Sequence, residues 1–262
     1  MRVGPAEGRV RSLEAASEAV NVDWRRQVYR TRDRALAWLL PPRCLLCAAA
    51  GENGRDLCTG CRDDFQINDI CCGRCALPLD QPAVLCGRCL KREPAFDAAW
   101  VPFVYGHPLN LLETRFKFGG DLAAGRVLAD SVIDRALIDR PALPDLLIPV
   151  PLHTKRLRLR GYNQALELAR PIAQALGIGI AIDRLHRQRD TTAQTGLDAA
   201  ARRRNLARAF SVSDGEPLPA HVAIFDDVMT TGSTLGECAR VLRSAGVARV
   251  DVWALARAPA RS

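Results

Sequence analysis

The chain has 262 residues, 48% of them hydrophobic and 25% charged, with a net charge of +8. That composition suits a soluble globular protein with a sizeable core, in one large domain or two small ones. Apolar runs such as residues 35–40 are far too short to span a bilayer, and the N-terminus has no signal-peptide h-region, so the expectation is a cytoplasmic protein without a transmembrane segment.

The charge is unevenly spread. Residues 151–210 carry 12 basic and 4 acidic side chains, a surplus equal to that of the whole chain. A local positive field of this kind suits an anionic ligand, either a phosphorylated metabolite or a nucleic acid. A solvated basic face is the plainer alternative.

Residues 1–40 read as a basic amphipathic extension. Val20, Trp24, Val28, Ala35 and Leu39 recur at helical spacing, with Arg25, Arg26, Arg30, Arg32 and Arg34 between them. Such a helix docks its Trp on the next domain, or contacts a membrane or DNA. Pro41 and Pro42 end it.

Residues 41–92 are the next expected module. Nine of the ten cysteines lie between Cys44 and Cys89. In a reduced compartment such clustering points to metal rather than disulfides. Eight of them form the pairs Cys44 and Cys47, Cys58 and Cys61, Cys72 and Cys75, Cys86 and Cys89, each with C-x-x-C spacing. One such turn aims two thiolates at one ion, and two turns complete a tetrahedral zinc shell. Ten residues separate the first pair from the second, and ten the third from the fourth. This repeat predicts two structural zinc ions in a double zinc ribbon. Sequential and interleaved pairing both remain open, and iron is the alternative metal. With four thiolates each, such sites have no open position for catalysis. Cys71 is left over, and Cys238 falls in a predicted helix as a core residue.

Residues 93–262 read as α/β. Strands are predicted at 100–105, 145–150, 222–225 and 250–255. Helices are predicted at 109–118, 122–138, 161–176 and 233–244. The alternation implies a mostly parallel sheet covered on both faces, with Trp100 and Trp253 in the core. Within this domain, residues 221–234 form an apolar strand that ends in Asp226 and Asp227, then Thr230, Thr231, Gly232, Ser233 and Thr234, then a helix. Amides at a helix N-terminus hold a phosphate, Gly232 permits close approach, and the hydroxyls add donors. The two carboxylates would repel a bare phosphate. They make sense if the ligand also carries a ribose diol. A capped helix after a buried strand explains the Ser and Thr but not the acids.

This run resembles the phosphoribosyl diphosphate signature of type I phosphoribosyltransferases. The resemblance assigns the ribose hydroxyls to Asp226 and Asp227, and the 5′-phosphate to Thr230, Thr231, Gly232, Ser233 and Thr234, with Mg2+ accompanying the diphosphate. A second segment holds His153, Lys155, Arg156, Arg160 and Gly161 in a loop after a strand. The resemblance makes it the pyrophosphate loop, with His153 an anion contact or an acid. A third holds Arg187, Arg189, Arg202, Arg203 and Arg204, in the place of a hood over the site. With the cysteine pairs, the Pro-Val-Pro-Leu-His run at 149–153 and the Arg-Gly-Tyr-Asn-Gln run at 160–164, residues 41–256 resemble the ComF family of competence proteins.

That resemblance implies a role in natural competence and DNA uptake. The expected partners are phosphoribosyl diphosphate, single-stranded DNA and proteins of the competence machinery. Any chemistry would be a phosphoribosyl transfer with release of pyrophosphate. The competing expectation is a metabolic phosphoribosyltransferase acting on a base or amine. The cysteine module and the confined charge favour the first.

Overall fold

A computed structural model describes residues 41–188 and 209–260. The basic extension at 1–40 and the hood residues Arg189, Arg202, Arg203 and Arg204 lie outside the described residues. The described chain forms two compact units, one of residues 41–44 with Ala48–Cys58, the other of Leu45–Cys47 with everything from Thr59 onward.

The smaller unit is a tight turn. Arg43 bridges Ala50 in antiparallel sense, and the Ala48 N–H donates to the Cys44 carbonyl at 2.9 Å. The larger unit repeats this turn. Cys71 bridges Pro78, and the Ala76 N–H donates to the Cys72 carbonyl at 2.8 Å. Ala48 and Ala76 both have positive φ, 62° and 50°, a conformation uncommon for residues with a side chain. The doubled cysteine pattern is therefore also a doubled backbone geometry.

After the short helices α1 (Thr59–Asp63) and α2 (Gly87–Lys91) the α/β domain begins. Its strands are β1 (Ala99–Trp100), β2 (Phe103–Val104), β3 (Leu146–Pro149), β4 (Gly179–Ile180), β7 (His221–Met229) and β8 (Arg249–Arg257). Their order is β1-β8-β7-β3-β4, with β2 also on β8, and the pairings are parallel. The helices α3 (Leu109–Gly119), α4 (Leu122–Asp139), α5 (Thr154–Arg160), α6 (Gln164–Leu176) and α7 (Ser233–Ser244) connect them. A small antiparallel pair, β5 (Leu185–Arg187) and β6 (Phe210–Val212), stands apart from this sheet. The fold is the expected parallel-sheet α/β domain behind a cysteine-rich module.

Period-2 alternation along β7 sorts its side chains. Val222 and Ile224 join Leu235, Cys238, Ala239 and Leu242 of α7 in one buried cluster. Helix α6 packs on β3 and β7 and also against α4. Trp253 is buried at 1% exposure, its ring centroid 4.9 Å from that of Trp100. Trp100 itself stays partly exposed, with its Nε1–H on Asp139 at 3.1 Å.

The chain order of the strands places the site. From β3 the chain crosses to β4 on one side, returns to β7 on the other, and continues to β8. The direction reverses between β3 and β7. In open α/β sheets ligands bind at that switch point, outside the carboxyl ends of the strands. The segments leaving there are the Pro149-to-Gly161 run and the Asp226-to-Thr234 run.

Three expectations are corrected. The strand expected at 100–105 is split into β1 and β2, because Pro102 has no N–H to continue the ladder. The helix expected at 161–176 begins only at Gln164, and the basic stretch before it, expected as a loop, is the helix α5. Gly161, at φ 82°, caps α5 in the left-handed region, with its N–H on the Leu157 carbonyl. The strand expected to stop at Phe225 runs on to Met229, so both acids lie inside it.

Candidate functional site

The metal centres are built from the two turns. Cys44 and Cys58 belong to the smaller unit and Cys47 and Cys61 to the larger; within the larger unit the sulfurs of Cys72, Cys75, Cys86 and Cys89 lie within 4.8 Å of one another. Pairing is therefore sequential, the first of the two arrangements left open by the spacing. The second group is wholly buried. Its Cys75 and Cys86 sulfurs are 3.7 Å apart, against roughly 3.8 Å for the edge of a tetrahedron with zinc–sulfur bonds of about 2.3 Å. A disulfide would need about 2.05 Å. The Cys86 N–H donates to the Cys72 sulfur at 3.2 Å. Burial works against the Cys72 thiolate, but amides of Cys86, Cys75 and Arg74 outweigh it and bring the thiol down to about 6. Burial raises Cys75 and Cys89, and the Cys72 thiolate pushes both the same way. Four crowded thiols ionise together only around a cation, so the donor set fits zinc. Cys71 belongs to neither group, and Cys238 is buried in α7 as expected.

The acids of β7 accept hydrogen bonds from the backbone beside them. The Asp227 N–H donates to its neighbour's carboxylate, Asp226 Oδ1, at 3.0 Å, and the Val228 N–H to Asp227 Oδ1 at 2.7 Å. Local acceptance of this kind is a habit of short acids. The register with β8 runs unshifted past them, Asp226 opposite Ala254 and Val228 opposite Ala256. Burial first, and then the Asp227 carboxylate, push the Asp226 carboxyl well above the usual range.

Sequence reasoning missed the cation that faces these acids. Lys117 of α3 places its Nζ 3.1 Å from Asp227 Oδ2 and 2.9 Å from Glu113 Oε1. The Tyr105 hydroxyl donates to Glu113 Oε2 at 3.2 Å. Burial disfavours the Lys117 charge, but Asp227 and then Glu113 outweigh it and hold the ammonium above its ordinary value. The signal was a lysine between Phe116 and Phe118 in a helix whose other face is core.

Beyond Met229 the chain turns through the exposed Thr230 to α7. Gly232 has φ 73°, a left-handed conformation that strains any residue with a side chain; a Cβ there would also meet the mobile Met229 methyl at 2.7 Å. The Thr231 and Ser233 hydroxyls are 2.8 Å apart, and the Ser233 N–H donates to Thr231 Oγ1. Thr234 is partly buried in the first turn of α7.

The basic segment is organised by its caps. His153 is the N-cap of α5, its Nδ1 accepting the Lys155 N–H at 3.3 Å. Lys155 and Arg158 are exposed. The Arg160 guanidinium stands 5.6 Å from the centroid of the exposed Phe118 ring, and that of Arg187 stands 5.4 Å from Phe210. Arg156 is partly buried. Asn163 caps α6 through Ala165 N–H and donates to the Val150 carbonyl at 3.0 Å. Tyr162 donates to the Phe116 carbonyl. The Arg-Gly-Tyr-Asn-Gln run is thus the joint that ends α5, starts α6 and ties both to β3 and α3.

Comparison with known proteins agrees with this assembly. Residues 35–90 match the double zinc ribbon domain family. The chain is 40% identical over 225 residues to competence protein F of Haemophilus influenzae, covering 82% of this chain and 97% of that protein. It is 34% identical over 228 residues to DNA utilization protein YhgH of Escherichia coli K12, covering 83% and 98%. It is 23% identical over 155 residues to competence protein ComFC of Streptococcus pneumoniae, covering 59% and 66%. Glutamine phosphoribosylpyrophosphate amidotransferase of B. subtilis superposes loosely, with a TM-score of 0.32 and 21% identity over 50% of this chain and 25% of that one. The class is therefore a double zinc ribbon joined to a parallel α/β domain with paired acids on a central strand. Within it, the chain belongs to the ComF family of competence proteins.

Two outcomes follow from these geometries. Protein purified without chelator should carry two zinc ions per chain, and Cys58→Ser should carry one. Metal analysis that finds one or none in the wild type contradicts the assignment. The second concerns Asp226. Burial and the Asp227 charge favour its protonated form more in the folded state than in the unfolded chain. Stability should therefore fall as pH rises from the ordinary carboxylate range, about 4, through the raised value. Asp226→Asn should remove that slope in urea denaturation run across pH. An unchanged slope would show that Asp226 ionises normally.

Proposed function

We propose that this protein binds phosphoribosyl diphosphate with magnesium at the carboxyl ends of β3 and β7, and handles single-stranded DNA in natural competence. The observation that carries the reading is the pair Asp226 and Asp227 inside a central strand, followed at once by the hydroxyl- and amide-rich turn into α7. Acids and anion donors side by side fit a ligand with both a diol and a phosphate. In this reading Asp226 and Asp227 accept from the ribose hydroxyls. Thr230, Thr231, Gly232, Ser233 and Thr234 hold the 5′-phosphate. His153, Lys155, Arg156, Arg160 and Gly161 line the diphosphate side, and Arg187, Arg189, Arg202, Arg203 and Arg204 serve the hood and DNA. Magnesium would bridge phosphate oxygens and keep several waters.

Lys117 is the ligand's first competitor. It already neutralises Asp227, and an incoming diol must share that carboxylate with it. The names of the relatives, competence protein F and DNA utilization protein YhgH, support a DNA role. In this reading the protein works in the cytoplasm. No helix among the described residues is long and apolar enough to cross a membrane.

Calorimetry with two ligands tests the diol assignment. Asp226→Asn with Asp227→Asn should weaken phosphoribosyl diphosphate by about 1–3 kcal/mol per lost charge-assisted bond. Inorganic pyrophosphate, which has no diol, should change far less. Equal losses for both would falsify the assignment. Titration of a labelled single strand at several salt concentrations tests the DNA role. Affinity should fall steeply with salt, and replacing Lys155 and Arg158 by Ala should flatten the slope by roughly 0.7 for each phosphate no longer neutralised. No binding at low salt, with turnover of a base or amine by the same protein, would instead favour a metabolic transferase.

A further inference from the structure

The second cysteine group and the turn after β7 meet through two arginines. Arg257, at the end of β8, is 1% exposed. Its Nε donates to the Cys75 carbonyl at 3.1 Å. Its Nη1 donates to the Met229 carbonyl at 3.0 Å, to the Ala258 carbonyl at 2.8 Å and to the Thr230 carbonyl. Arg88 lies in α2 between Cys86 and Cys89, and its Nη2 donates to the Thr231 carbonyl at 2.6 Å. Three successive carbonyls are thus held by guanidinium groups that also belong to, or bond to, the cysteine knuckles. A trans peptide aims its N–H opposite to its C=O. The amides of Thr230, Thr231 and Gly232 therefore point away from these arginines, free to face an anion.

Charge supplies the second half of the argument. Arg257 Nη2 is buried without a hydrogen-bond partner, and a buried guanidinium is costly unless a counter-charge lies near. Four thiolates on Zn2+ leave a net charge of −2. Cys72, Cys75, Cys86 and Cys89 sit in the same buried cluster as Met229 and Leu235. A cleft of about 580 Å3 beside them is lined by Arg88, Cys89, Thr231, Gly232 and Ser233 among others.

We infer that Arg257 and Arg88 are positioning residues that couple metal occupancy of the Cys72, Cys75, Cys86 and Cys89 site to the shape of the anion-binding turn at 229–233. The zinc tetrathiolate balances the buried Arg257. Arg257 and Arg88 in turn fix the peptide planes whose amides read the phosphate. Loss of this zinc takes the counter-charge away, and the turn loosens. The coupling is reciprocal, so a ligand on the turn also retains the metal. The ligand half rests on the reading under Proposed function; the coupling of metal to turn does not.

Hydrogen exchange of the intact protein tests it. Cys86→Ser, which opens only the second site, should raise exchange at residues 229–234 by about tenfold while α6 keeps its protection. Arg88→Ala, on an exposed side chain, should raise the same amides with both zinc ions still bound. Arg257→Lys should speed zinc transfer to a chromophoric chelator. If Cys86→Ser does not fold, the two arginine variants carry the test. Unchanged exchange at 229–234 in every folded variant overturns the inference. In the wild type, phosphoribosyl diphosphate with magnesium should slow zinc transfer, and Arg88→Ala should lose that protection. Should the turn respond to zinc while phosphoribosyl diphosphate fails to bind, the proposed function falls and the coupling stands.

Discussion

Two adjacent carboxylates inside a central parallel strand are the constraint around which this domain is arranged. Strand β7 runs between β3 and β8, where apolar side chains are the rule, yet Asp226 and Asp227 occupy it. Each acid satisfies a backbone N–H of the next residue. Lys117 then reaches from α3 to neutralise Asp227, and Glu113 and Tyr105 steady Lys117 in turn. Removing one partner from a fully buried ion pair costs about 3–5 kcal/mol; with Lys117 still 24% exposed, the cost here is smaller. Such an arrangement is costly in an apolar core, and groups placed this way mark a candidate functional site.

The same strand connects the acids to the metal module. Immediately past Met229 the chain turns through a glycine in the left-handed region, and its carbonyls rest on Arg257 and Arg88. On one side of the turn lies the carboxylate and ammonium network; on the other lies the second tetracysteine group. A small metal-bound module without a large apolar core is stable through its ion. Here its buried cysteines also join the core of the α/β domain.

Much of this is legible in the sequence because the relevant chemistry is local. C-x-x-C spacing is a short-range geometric requirement, and both cysteine groups follow it. Helix α7 matches its predicted bounds because Gly232 and Ser233 mark its start. What escapes is non-local or ambiguous. Lys117 sits between two phenylalanines, and nothing near it in sequence reveals a partner 110 residues away. The basic stretch at 154–160 reads as a loop because its leucines alternate with arginines; His153 and Gly161 cap it into a helix whose Leu159 is 89% exposed. Strands β5 and β6 are three residues each, too short for any period to register. The split of β1 from β2 follows from Pro102, whose missing N–H outweighs the apolar run around it.

The central claim is that the switch point between β3 and β7 is a ribosyl phosphate site. A crystal structure of the zinc-loaded protein grown with phosphoribosyl diphosphate and magnesium tests it most directly. The account predicts the 5′-phosphate on the amides of the Thr230-to-Thr234 turn, with the ribose hydroxyls on Asp226 and Asp227. A ligand seated elsewhere, with the Lys117–Asp227 pair intact and the turn empty, would contradict it.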